Sequence, residues 1–371
     1  MGAILLWAGV AGAWGQAAGD PAAYALLEDL ERGRSDHDAA VRGGRVEGYR
    51  LVVITKQPEA ALPRSVVTEE LLPVLMGMTP GLGGREDLDA RTSALVAKHV
   101  PDPDQVVAQW SWFSLVYSGD DLAVRTEGLG GPELMVWTGG EEHLYTQNAD
   151  RTWGQVSLLS QPRGVRPATP HSFLFLPDNR KVPRLRLETA DGVRTLTNDY
   201  YTMALDGNRH ILRETLIRSG GQYWSERFQR DFRDVPLAQK TLSLPHSIAS
   251  LDYARIVGDA PAPAAGPLPP DDAGDAEDDA AAEGPRVAVM TLHRVIDAEF
   301  GVEAGPEAFR IAAPQGTTVA DFRGAERVNG TRRAWVGRLR EGTADVVEAV
   351  RSGRVTLRQR WRPRACGLYG R

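Results

Sequence analysis

From Val106 to Ile256 the sequence is a ladder of short segments that alternate apolar and polar residues, punctuated by dipeptides rich in Gly and Asp. Gly119-Asp120, Gly139-Gly140, Asp206-Gly207 and Gly220-Gly221 are pairs that accept the positive φ angles of two-residue hairpin turns. A chain punctuated in this way predicts an antiparallel sheet built hairpin by hairpin. Alternation sets Trp110, Trp112 and Val116 on one face of their strand and Phe113, Leu115 and Tyr117 on the other. Further along, Trp224, Phe228 and Phe232 share a face opposite Ser225, Arg227, Gln229 and Asp231. Several strands are therefore apolar on both sides, which suits a curved sheet whose hollow side meets helices or a ligand while parts of its back are also covered.

The segments before the ladder supply the helices such a sheet needs. Ala23, Leu26, Leu27 and Leu30 form one helical stripe, with Asp20-Pro21 as cap and first-turn residue. Val46–Thr55 reads as a strand, and Val66–Met78 and Arg85–His99 as two helices separated by Thr79-Pro-Gly-Leu-Gly-Gly84. The opening Gly2–Ala11 run is apolar and is followed by small residues at Ala13, Gly15, Ala17 and Ala18, so residues 1–19 predict a signal-peptide-like segment and an exported, periplasmic protein. It is too short to span a bilayer as a lasting helix.

After the ladder, residues 258–285 are rich in Ala, Pro and Asp, with no basic residue and no periodicity, and predict a disordered acidic loop. Strand-like sequence resumes at Val287–Ile296. Residues 20–323 are expected to form one domain containing that loop, followed by an Arg-rich tail, 324–371, with no core of its own apart from a possible helix at Val346–Val350. The chain has 371 residues and a net charge of −6, which gives no global attraction for nucleic acid. The single Cys, Cys366, excludes an internal disulfide.

The amphipathic N-terminal helix, the long meander, the Leu244-Pro245 strand end and the closing Phe309, Pro314, Gly316-Thr317, Val319, Asp321 pattern together resemble the LolA-like family of bacterial lipoprotein-sorting proteins. The likeness is to its divergent exported members, as in planctomycetes, and covers roughly Ala22–Arg323. It implies an α+β fold: a curved antiparallel sheet, or half-open β-barrel, with helices on its concave face. It also implies a non-catalytic carrier that holds a lipid or lipoprotein acyl chain, with peripheral membrane contact. The alternatives are an envelope sensor or scaffold binding a protein partner through its Arg-rich tail, or a fragment of a cysteine-peptidase-like protein using Cys366.

Aromatic rings offer large apolar area with little rotamer entropy to lose, so Trp110, Trp112, Trp137, Tyr145, Phe175, Trp224, Phe228 and Phe232 are the expected cavity lining, with ordinary core packing as the competing role. Asp36-His37-Asp38 and Glu141-Glu142-His143 combine metal-ligand residue types. Three adjacent residues do not converge on one ion, however, so both read as solvated loops and no metal or cofactor is expected. No His-Glu-x-x-His, nucleophile elbow or phosphate loop is present. Arg364-Ala-Cys-Gly-Leu-Tyr resembles the opening of a cysteine-peptidase nucleophile helix, but this sequence supplies no downstream His and Asn to serve Cys366.

Overall fold

The computed structural model describes residues 19–40, 43–57, 60–79, 84–100, 102–128, 130–160, 184–217, 223–236, 241–254, 285–323, 327–328 and 331–361. The signal-like segment, the acidic loop, Phe175, Gly220-Gly221 and Cys366 lie outside them.

The chain opens with α1, Pro21–Ala40, whose start is fixed by the Asp20 carboxylate accepting from the Ala22 amide at 2.9 Å. Strands β1, Gly43–Thr55, and β2, Leu62–Pro63, follow. A π-helical turn, Val66–Leu71, runs into α2, Leu72–Gly77, and then α3, Gly84–Val96. The meander is β3, Val106–Ser118; β4, Asp121–Gly128; β5, Gly131–Thr138; β6, Glu141–Gln147; and β7, Gly154–Ser160. Next come β8, Arg186–Ala190; β9, Val193–Asn198; β10, Tyr201–Leu205; β11, Ile211–Ile217; β12, Tyr223–Pro236; β13, Thr241–Tyr253; and β14, Arg286–Phe300. The last elements are β15, Thr318–Asp321; β16, Arg327–Val328; β17, Thr331–Arg338; α4, Val346–Arg351; and β18, Arg358–Trp361. The fold class is α+β, with mostly antiparallel strands and few helices.

Two of the four expected turns form at their dipeptides, whereas β10 and β11 are joined by the longer link 206–210, in which Arg209 and not Gly207 takes the positive φ, 67°. Gly119 has φ 58° between β3 and β4, and Gly139 and Gly140 have φ 57° and 78° between β5 and β6. Asp191 and Gly192, at 51° and 77°, make an equivalent turn between β8 and β9.

The described residues divide into two compact units rather than the single domain expected over 20–323. One lies within Met1–Ser35 and Phe173–Glu226, the other within Asp36–Ser172 and Arg227–Arg371. In the first, β8, β9, β10 and β11 pair antiparallel in that order. Ala23, Leu26 and Leu27 of α1 share a core with Leu196, Tyr201, Met203 and Leu205. Periodicity alone does not reveal this division, because the helix and the strands it covers are far apart in sequence.

In the second unit the antiparallel order is β7–β6–β5–β4–β3–β1–β14–β13. β15 adds parallel to β7 and β17 pairs antiparallel with β15. Residues 331–361 are therefore built into this unit, against the expectation of a coreless tail. Val346, Ala349 and Val355 are buried with Ile311, Val319 and Val156. Leu339 joins the first three, and these four widely spaced apolar residues suffice because the sheet supplies the rest of that core.

Gly48 sits where the β1–β14 register shifts, with Ile296 as the extra residue. A Cβ there would stand 2.0 Å from the Arg294 carbonyl oxygen, a backbone atom that only a shift of the strand can move. Gly48→Ala is expected to destabilise by about 1–3 kcal/mol, read as a lower urea midpoint with an unchanged slope.

Candidate functional site

The register sorts the second unit's side chains onto two faces. On one, Trp110, Leu51, Leu292 and Ala249 are successive cross-strand neighbours, and the row Ala108, Val53, Met290 and Leu251 lies beside them. These rows form an apolar floor across four strands. Its roof is Val67 and Leu71 of the π-helical turn, Leu72, Leu75 and Met76 of α2, Met78, and Leu88 and Val96 of α3, all packed into the same buried cluster. Aliphatic spacing on short helices gives the roof one apolar face, while Val74 on its outer side is 48% exposed.

Polar contacts tie the roof to the sheet. The Arg294 guanidinium donates from Nη1 to the Met76 carbonyl at 3.0 Å, and the Ser247 hydroxyl donates to the same oxygen at 3.1 Å. Arg294 also pairs with Asp231 at 3.2 Å. A cation and a hydroxyl thus satisfy a carbonyl at the C-terminal end of α2, where the helix leaves acceptors unpaired. At α3, the Asp89 carboxylate accepts from the Trp110 amide at 2.8 Å, beyond the point where β4 stops pairing with β3. The Trp110 indole N–H donates to the Thr92 hydroxyl at 2.8 Å.

The predicted aromatic set is not gathered in one place. Trp110 belongs to the floor, Trp112 stands beside it edge-to-face with Tyr49 at 5.2 Å, and Phe228 packs against the same cluster. Tyr145 lies beneath the C-terminal segment, and Trp137 packs with Phe113 and Leu122 in a separate cluster. Phe232 is half-buried in β12, Trp224 is described only as a backbone position of β12, and Phe175 falls outside the described residues. The aliphatic floor escaped the sequence reading, although the alternation in β1 and β14 carries its signal.

β12 is buried on its polar side too. Ser225, Arg227 and Gln229, on the face opposite Phe228, are buried, and so is Glu226. In the first unit the Glu226 carboxylate receives the Thr215 hydroxyl at 3.0 Å and the Arg213 guanidinium. On β11, Glu214 is fully buried and accepts from the Tyr201 hydroxyl at 3.3 Å. Burial, and then the Glu214 charge, hold that phenol well above its ordinary value.

The two candidate metal triplets are not solvated loops. Asp36-His37-Asp38 lies within α1, and Glu141-Glu142-His143 opens β6 with His143 buried. His143 Nε2 is 3.1 Å from Glu141 Oε2, and Arg323 pairs with that carboxylate at 3.3 Å while holding Asp321 at 2.8 Å. Burial raises the Glu141 carboxyl, but the His143 and Arg323 contacts outweigh it and hold the group below its ordinary value. Among the described residues no group of three His, Cys, Asp or Glu is placed to hold a metal ion.

Burial also holds the His143 imidazole below its ordinary value, against the pull of Glu141 and with the Arg323 and Arg351 charges acting in the same direction as burial. The unfolded chain then takes up this proton first. Stability is expected to be full above the ordinary value of 6.5 and to fall as pH drops below it, by up to about 1.4 kcal/mol per pH unit for this residue. His246, also lowered chiefly by burial, adds in the same direction. Urea titrations at stepped pH should show this slope, and His143→Gln should flatten it.

No protein-family model matches the chain, and no curated protein does. Solved structures that resemble it include the following three. A DUF1329 family protein from Desulfovibrio piger is 9% identical, with 78% of this chain and 96% of that one covered and a TM-score of 0.35. A putative outer membrane lipoprotein-sorting protein domain from Vibrio parahaemolyticus is 9% identical, with 77% and 97% covered and a TM-score of 0.35. A LolA superfamily protein from Nitrosomonas europaea is 8% identical, with 78% and 97% covered and a TM-score of 0.33.

Proposed function

We propose that the protein is an exported, non-catalytic carrier that takes a lipid or lipoprotein acyl chain between the roof helices and the sheet. The observation that carries this reading is the apolar interface itself: two apolar rows beneath short helices, crossed by few polar contacts. Each methylene moved from water into such a space contributes about 0.8 kcal/mol, so an acyl chain binds firmly without polar recognition. Met76, Met78 and Met290 supply side chains that repack around chains of different shape. A π-helical turn beside α2 is an irregularity that helices tend to keep at working sites. The apolar Gly2–Ala11 run supports passage out of the cytoplasm, and no helix among the described residues is long and apolar enough to cross a membrane.

The test is organic extraction of freshly purified protein followed by mass spectrometry, with uptake of a fluorescent fatty acid by the delipidated form. Recovered acyl lipid and saturable uptake are expected. Empty protein that takes up no fatty acid overturns the reading.

A further inference from the structure

Residues 323–371 hold thirteen arginines and four carboxylates, a net of +9, in a chain whose total is −6, which leaves the first 322 residues at −15. The fold gathers part of this charge instead of dispersing it. β17 is paired on one side with β15 and on the other with β18, setting Val336 opposite Arg358 and Trp335 opposite Gln359. A Cβ on Gly337 would lie 2.6 Å from the Thr356 carbonyl oxygen and 3.0 Å from Leu357 Cδ2, so the stretches 336–340 and 354–358 are in direct contact. Arg338, Arg340, Arg354 and Arg358 thus stand on two touching segments. All four are exposed, and none forms an ion pair among the described residues. Arg323, by contrast, is committed to Asp321 and Glu141. Trp335, 45% exposed and paired with Gln359, lies on the other face of the ribbon.

We infer that this arginine ribbon is a docking surface for a bilayer rich in anionic phospholipid. Guanidinium groups bind phosphate oxygens through paired N–H donors, and strand alternation sets Arg338 and Arg358 on one face of the ribbon, where they meet one surface together. A basic face on an otherwise acidic chain also orients the molecule, since a charged plane attracts the ribbon and repels the rest. The inference stands apart from the acyl-carrier reading, because vesicle binding reports on the ribbon and fatty-acid uptake reports on the helix-covered interface.

The test is co-sedimentation of the full chain with vesicles of phosphatidylcholine alone and of phosphatidylcholine mixed with phosphatidylglycerol. Binding only to the mixed vesicles, and release by high salt, are expected. Joint replacement of Arg338, Arg340, Arg354 and Arg358 by Gln should weaken partitioning by roughly a hundredfold or more, while the same four changed to Lys should keep most of it. Should the glutamine variant lose its fold, by circular dichroism, the double change Arg354→Gln and Arg358→Gln carries the test, with binding expected to fall about tenfold. Equal binding to neutral vesicles, binding to neither, unchanged binding of either folded glutamine variant, or preferential capture of a single-stranded oligonucleotide overturns the inference.

Discussion

Leu75→Ala is expected to lower stability by about 3–4 kcal/mol and, in the same protein, to increase the stabilisation gained from an added acyl ligand. Leu75 is fully buried where α2 meets the sheet. Truncation there removes the transfer energy of the lost atoms and leaves a void that short helices anchored at their ends close only in part. A void lined by aliphatic side chains stays dry and accepts apolar guests. A ligand that binds only the folded state raises stability in proportion to the logarithm of its concentration over its dissociation constant, so a roomier interface should show a larger shift of midpoint at equal fatty-acid concentration. Thermal melts of the parent and variant with and without fatty acid measure both effects. A variant that loses stability and gains nothing from ligand would mean the interface is core and no more.

Glu226→Ala is expected to destabilise the first unit by about 3–5 kcal/mol, because it removes the carboxylate on which the Arg213 guanidinium and the buried Thr215 hydroxyl converge. Glu226→Gln should cost less, since an amide oxygen still accepts from Thr215. Hydrogen exchange at β10 and β11 localises the loss, and protection there that survives the alanine variant would show that these contacts are marginal.

Local chemistry explains which parts of this fold were legible in the sequence. Gly119, Gly139 and Gly140 announce their turns because few other residues tolerate those backbone angles, and the helices at Val66–Gly77 and Gly84–Val96 announce themselves by spacing. The buried side of β12 did not, since Ser225 and Gln229 look like solvent residues until the fold brings distant partners to them. The face proposed to bind was read differently for a related reason. Ring size picks out Trp137 and Tyr145, but only cross-strand register shows that they pack in clusters separate from that of Trp110, and that Leu51, Leu292 and Ala249 continue its row.

β15 reaches β7 only after most of the chain has been made, and it adds in the parallel sense. Until then the outermost strand of the meander presents unsatisfied amides and carbonyls beside Val156 and Leu158, a template on which another copy can pair. Synthesis that stalls or is cut before Thr318 should therefore yield aggregates rather than a smaller working protein, and the final residues act as the guard that closes this edge.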